Sequence, residues 1–254
     1  MKNKVLISFY EFDITVREVI VSIAIIAIWL ILGFSINEKI DNSIQQQNAK
    51  YSKAIKVTTT DEFQYGMETS VGNAFVYGNY VCVDPVSYEE VDGEYTYIEK
   101  TKKRYTRHTR TVTKTKTVNG KTKTYTETEV YYTWDTVDFD SKHCTKINFC
   151  DVEFDYNKIE RPSQVYIDTQ YSGPNVKYIY YGVPTKLTGT IYTNLSNGTI
   201  SDDSIFLEDQ DPVSAMETMK SSGKISVILF WFAWSILLAG LLYGWFYLDN
   251  NYLE

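Results

Sequence analysis

The hydrophobic pattern divides the chain into three regimes. Val19 to Ile36 (VIVSIAIIAIWLILGFSI) and Ile225 to Leu248 (ISVILFWFAWSILLAGLLYGWFYL) carry no charge at all. As helices they are about 27 and about 36 Å long, so both reach across a hydrocarbon layer, the second with tilt. A cleaved signal peptide would need small residues after the first run, and Phe34, Ile36 and Glu38 stand there instead. Between the two runs the period changes to two. Thr101 to Trp134, TKKRYTRHTRTVTKTKTVNGKTKTYTETEVYYTW, alternates almost throughout and is interrupted at Asn119-Gly120. That dipeptide tolerates the positive φ of a two-residue type I′ turn, which predicts a long hairpin arm. The resulting register sets Val118 opposite Lys121, Thr115 opposite Thr124, Arg110 opposite Glu129, Tyr105 opposite Trp134 and Arg104 opposite Asp135.

Further strands are expected at 74–84, 93–105, 124–137, 145–154, 165–168, 175–181 and 185–195, separated by turn signals such as Asp84-Pro85, Asp92-Gly93, Gly173-Pro174 and Asn197-Gly198. This spacing predicts an antiparallel β sandwich or partly open barrel carrying a projecting β-hairpin arm, flanked by two transmembrane helices. The plan is a tail at 1–18, membrane helix 19–36, helical stalk 37–57, β-rich domain 58–210 with its arm at 101–134, juxtamembrane segment 211–224, membrane helix 225–248 and tail 249–254. Tyr105, Val130, Tyr132 and Trp134 fall on one face at the base of the arm and threonines at its far end. Burial of the base and projection of the tip follow as expectations.

Charge changes the picture of the arm. The 254-residue chain has a net charge of −7, from 25 basic and 32 acidic residues. Ten of the cations lie between residues 100 and 126, where there is no Asp or Glu, so the rest of the chain sums to −17. An anion- or partner-binding tip would use Arg107, Arg110, Lys114, Lys116, Lys121 and Lys123. The competing reading is that lysines on exposed strands block edge-to-edge aggregation. Lysines outnumber arginines and no aromatic lies between Tyr105 and Tyr125, so nucleic-acid base readout is disfavoured.

Candidate chemistry is sparse. Three cysteines exclude a complete internal disulfide framework, although Cys144 and Cys150 could bond across a short hairpin with Cys82 left free. H-C-x5-C at His143 to Cys150 lacks a zinc-type CxxC pair, so no metal is expected. Two histidines, no nucleophile elbow, no P-loop and no dinucleotide glycine pattern leave neither a catalytic residue nor a cofactor to assign. The chain reads as a non-enzyme. Gly240 and Gly244 form a GxxxG that would pack against a second copy, giving a homo-oligomer, or against the first membrane helix.

DEFQYGMETSVGNAFVYGNYVCVDPV, GEYTYIEKTKKRYTRHTRTVT, SKHCTKINFC and YYGVPTKLTGTIYTNL together resemble uncharacterised two-pass membrane proteins of Gram-positive bacteria and their phages. The resemblance implies a bacterial or phage setting and the same helix, domain, helix plan. It implies no activity and no functional residue.

Two crossings place both termini on one side of the bilayer. Basic residues beside the helices favour a cytoplasmic domain by six to three, but the first helix with its basic amino-terminal tail usually dominates. With the Tyr/Thr-rich composition, this predicts an extracytoplasmic β domain and cytoplasmic termini. The expected function is a membrane-anchored interaction module whose basic arm meets an anionic surface, an anionic polymer or an acidic protein. The alternative is a structural subunit of an envelope or virion membrane assembly, its arm clasping a neighbouring protomer.

Overall fold

The computed structural model describes residues 5–8, 13–118 and 121–252, which fall into two compact units: Met1–Ala54 with Val213–Glu254, and Ile55–Pro212. In chain order the elements are β1 (Val5–Ser8), β2 (Asp13–Thr15), α1 (Val16–Lys53), β3 (Ile55–Val57), α2 (Thr60–Glu68), β4 (Gly72–Cys82), β5 (Tyr95–Val118), β6 (Lys121–His143), β7 (Lys146–Phe149) and β8 (Val152–Asp155). A short 3-10 turn at Tyr156–Lys158 leads to β9 (Val165–Tyr171), β10 (Val176–Pro184), β11 (Lys186–Ser196), β12 (Thr199–Ile200), β13 (Ile205–Glu208) and α3 (Pro212–Tyr252).

The first unit is an antiparallel pair of long helices. Thr15 caps α1: its hydroxyl accepts from Glu18 N, and the Glu18 carboxylate accepts from Thr15 N in return. No Pro or Gly follows Gly33 in α1, so the helix runs unbroken through the expected stalk to Lys53. α3 likewise continues without a break from Pro212, so the juxtamembrane segment is its first turns. Both helices are long and apolar enough to cross a membrane. Their outward surfaces keep Ile20, Ile31, Phe34, Ile228, Phe232 and Leu237 exposed, as lipid-facing helices do.

Contacts between α1 and α3 run from Arg17–Asp249 through Trp29–Trp234 and Asn37–Trp231 to Ile44–Gly223. The two indoles stack at 4.3 Å, and each donates its ring N–H to the other residue's backbone carbonyl, at 3.2 and 3.3 Å. In an apolar layer an indole N–H without an acceptor is costly, and this exchange satisfies both. A Cβ on Gly33 would fall 2.5 Å from the Trp234 ring nitrogen, and one on Gly223 would fall 2.6 Å from Ile44. Gly240 and Gly244, by contrast, have nothing within 4 Å of an added Cβ among the described residues. Packing of the GxxxG against α1 is therefore corrected: the glycines that admit the neighbouring helix are Gly33 and Gly223.

The second unit is the mostly-β domain, in which a seven-stranded sheet curls into a half-barrel beside a four-stranded sheet. The curled sheet runs β12-β11-β4-β7-β8, with β13 also on β11 and β3 parallel to β4. Lys186–Leu195 of β11 pairs with Gly72–Val81 of β4 along nearly its full length. The other sheet has the order β6-β5-β10-β9. The principal core lies in the curl, where Phe63, Val76, Tyr80, Ile147, Phe149, Ile191 and Leu195 are buried, and the bases of β5 and β10 reach it through Tyr97 and Val183. A smaller core forms where the 85–94 segment lays Tyr88 and Val91 on Ile98 and Tyr180.

Two strand expectations change here, and a helix stands where the sequence pattern predicted no element. The stretch 145–154 is two strands, because Cys150 and Asp151 both adopt positive φ and form a two-residue turn between Phe149 and Val152. Gly182 to Pro184 does not break the chain but continues β10; a Cβ on Gly182 would sit 3.0 Å from the Tyr97 carbonyl, so glycine admits the adjacent strand. α2 was not legible as a core helix, although Thr59 caps it and Phe63, Gly66 and Met67 are buried at helical spacing.

Phe63 is fully buried with its ring edge-on to Phe149 and Phe154. Phe63→Ala is expected to lower stability by about 3–5 kcal/mol, read as a shift in the denaturation midpoint of the full-length protein in detergent.

Candidate functional site: the hairpin arm

The arm has the register its sequence specifies. Backbone pairing runs from Tyr97↔His143 to Val118↔Lys121 and includes Arg104↔Asp135, Tyr105↔Trp134, Arg110↔Glu129 and Thr115↔Thr124. The Asn119-Gly120 turn lies outside the described residues. One irregularity, between Lys102 and Lys103, places Val137 as an extra residue on β6. On its other edge β5 pairs with β10 only as far as Arg104↔Val176, with one more bond from Tyr105 N to the Asn175 carbonyl. Beyond that point β6 is the only strand partner of β5 among the described residues. This free ribbon, about 13 residues on β5, is about 44 Å long.

Alternation gives the ribbon two unlike faces. One carries His108, Arg110, Lys114 and Lys116 against Asp135, Glu129, Glu127 and Lys123, and most of its charge is cancelled internally. His108 Nε2 lies 2.6 Å from Asp135 and its ring stacks on Tyr131; Arg110 bonds Glu129 at 3.0 Å; Lys114 reaches Glu127 at 2.8 Å and Glu129 at 3.2 Å. The Glu129 carboxyl is held below the ordinary range by Arg110 and then Lys114, while the Lys114 ammonium is raised by Glu127 and Glu129. Among the described residues Lys116 and Lys123 face one another with no carboxylate partner.

The opposite face presents Tyr105, Tyr132 and Trp134, with threonines towards the tip. Tyr105 stacks on Tyr132 at 5.3 Å, and Tyr171 of β9 meets Trp134 edge-on. Lys177 of β10 lies 4.5 Å above the Trp134 ring. The expected burial of this base is corrected: Tyr105, Val130 and Tyr132 are 41%, 46% and 51% exposed, and Tyr171 67%. The reason is lateral. β10 and β9 widen the sheet instead of covering it, and the 85–94 segment packs on the other face, where Lys100 meets Glu90 and Lys142 lies over Tyr88. On the open aromatic face, Lys103, Arg107 and Lys177 have no ion-pair partner among the described residues.

Of the six predicted binding residues, then, Arg110 and Lys114 are neutralised within the arm, and Arg107, Lys116 and Lys123 are available. The Lys121 side chain lies outside the described residues. Sequence reasoning missed Tyr171 and Lys177, because the pairing that brings β9 and β10 beside the arm joins segments some 70 residues apart. No local signal carries it. Comparison of the chain with family models, curated proteins and solved structures gives no match.

The cysteines are also rearranged. The proposed Cys144–Cys150 bond is corrected: no disulfide joins these residues, which stand at opposite ends of β7, about 20 Å of extended chain apart. Cys150 Sγ instead points to the Tyr77 carbonyl at 3.6 Å, and burial pushes its thiol up to about 11. Cys82 Sγ, Cys144 Sγ and an Asp84 carboxylate oxygen lie within 4.8 Å of one another. His143 does not join them; its Nδ1 lies 2.7 Å from the Cys144 carbonyl and its ring stacks on Tyr156.

Asp84 secures the chain where the arm enters the main sheet. Its oxygens accept from Thr145 Oγ1 at 2.7 Å, from Thr145 N at 2.9 and 3.0 Å, and from Lys146 N at 3.0 Å. The Thr145 hydroxyl, followed by these backbone donors, holds the carboxyl below its ordinary value. A lowered carboxyl stabilises the fold above its unfolded pKa, and that contribution is lost as pH falls through the lower folded value. Asp84→Asn is expected to cost about 1 kcal/mol at neutral pH and to make the loss of stability below about pH 4 shallower, checked by denaturant melts across pH.

Proposed function

We propose that this chain is a non-enzymatic membrane-anchored interaction module whose arm binds an anionic polymer or an acidic protein surface. The observation that carries the reading is the unsupported ribbon beyond Tyr105 with its unequal faces. A two-stranded ribbon is marginally stable in water by itself, and an exposed tyrosine surface around the half-buried Trp134, with unpaired cations, has the composition of a contact surface. The internally neutralised face gives such a ligand little to hold. The aromatic face and the tip offer Arg107, Lys103 and Lys177 beside ring surfaces, and Lys116 opposite Lys123. Repulsion between those two lysines would be relieved by a bound anion.

The antiparallel helix pair returns the chain to the side from which it entered. We place the β domain outside the cytoplasm and both termini inside, as the basic amino-terminal tail favours. In a Gram-positive setting the polymer would be a teichoic acid. The second reading, a structural subunit, is favoured by one observation: Gly240 and Gly244 leave an uncovered small-residue surface on α3 among the described residues. Crosslinking in intact membranes that yields a discrete oligomer broken by Gly240→Leu would select it.

Full-length protein in zwitterionic nanodiscs is expected to bind teichoic acid with steep salt dependence. Replacing Arg107, Lys116 and Lys123 together with Gln should weaken binding roughly 10- to 100-fold, at about 1 kcal/mol per cation less screening. Replacing Arg110 and Lys114 should do much less, and unchanged affinity in the triple variant would remove the arm as the site. Sidedness is tested separately with a cysteine at Thr117 and another near the carboxyl terminus, each in a Cys150→Ala background. An impermeant maleimide on intact cells should label the first and spare the second.

A further inference from the structure

We infer that Cys82 and Cys144 form a disulfide that ties the root of the arm to the curled sheet, leaving Cys150 as the single free thiol. This goes beyond the binding reading and rests only on the extracytoplasmic placement of the β domain, where thiols are oxidised. Cys82 is the last residue of β4 in the curled sheet, and Cys144 follows immediately after β6, the outgoing strand of the arm. Both belong to the principal core, Cys144 completely buried and Cys82 nearly so. Their sulfurs lie within 4.8 Å of one another inside that core. The backbone on each side is already fixed: Cys82 N donates to the Thr185 carbonyl at 2.8 Å, Val83 N to the Lys146 carbonyl at 3.1 Å, and Cys144 N to the Thr96 carbonyl at 2.9 Å. Bringing the sulfurs to the about 2.05 Å of an S–S bond therefore asks for side-chain rotation between anchored strands.

The same trio invites a metal reading, and the geometry disfavours it. Asp84 spends its carboxylate on Thr145 and Lys146, which leaves two sulfurs where a structural zinc takes four ligands. Burial raises both thiols, Cys144 the more strongly, so in the folded domain they are protonated and poor ligands or nucleophiles. The bond is accordingly made while the core is still open. The oxidant is a disulfide, either a small molecule such as oxidised glutathione or a protein thiol oxidase. One cysteine thiolate attacks an oxidant sulfur and releases one thiol. The second thiolate then attacks the resulting mixed disulfide and releases the other. Two protein thiols are oxidised and one oxidant disulfide is reduced to two thiols.

The closed loop holds roughly 60 residues, including the whole arm. Constraint of the unfolded chain on that scale is expected to raise Tm by roughly 10 °C over the reduced protein. The test uses full-length protein refolded in detergent from the reduced state with a glutathione redox couple, then alkylated and digested without reduction. The expected products are a peptide pair joined through Cys82 and Cys144 and a singly alkylated Cys150, with a Tm rise that dithiothreitol abolishes and Cys150→Ala preserves. A Cys144–Cys150 or Cys82–Cys150 pair, three alkylated thiols in folded protein, or stoichiometric zinc on unbonded thiols would each overturn the assignment. The wild-type comparison with and without reductant decides the matter even if Cys82→Ala fails to fold.

Discussion

The structure of the β domain depends on one continuous antiparallel ladder, from Tyr97↔His143 at its root to Val118↔Lys121 at its far end. Backbone hydrogen bonds alone do not make such a ribbon stable, because two strands bury almost no apolar area. What holds it is the root. Tyr97 and Val183 enter the main core, Ile98 and Tyr180 enter the second, and Asp84 and Thr96 bind the chain where it leaves β6. A rigid root lets the distal ribbon keep its register without a layer of its own to pack against.

Once that ladder is set, the two-residue period distributes the chemistry. Each substituent of β5 goes to one face or the other, and β6 answers it in register. Glu127, Glu129 and Asp135 all fall on one face and cancel most of the cations there, while Tyr105, Tyr132, Trp134 and most of the threonines fall on the other. The arm is thus less basic than its composition indicates, and its charge is better localised. The sheet's own extension through β10 and β9 then enlarges the aromatic face with Tyr171 and Lys177.

The helical unit obeys a different constraint. In an apolar layer every polar group must find a partner within the protein, and the helix backbone supplies its own. Among the side-chain donors, the indoles of Trp29 and Trp234 meet that need through their reciprocal bonds and an Arg17 Nη through Asp249, whereas Ser22 Oγ and Trp245 Nε1 are buried with no hydrogen-bond partner among the described residues. Gly33 provides the space for one indole, so the contact is set by a single small residue well away from the GxxxG.

By itself the sequence determined what local rules decide. Uncharged length fixed the two membrane helices, and alternation with Asn119-Gly120 fixed the arm and its register, since helix rise and strand period act within a few residues of the chain. α2 escaped because nine residues with one short apolar stripe look like a loop until Phe149 and Phe154 arrive to cover Phe63. The Cys150-Asp151 turn escaped because Cys carries no positive-φ signal and Asp, without a neighbouring glycine, carries only a weak one. Tertiary structure alone decided which face of the arm is covered, which cations remain unpaired and which two thiols meet. Each of those depends on strands distant in sequence becoming neighbours, and the free energy that selects such neighbours belongs to the assembled core, where no single segment records it.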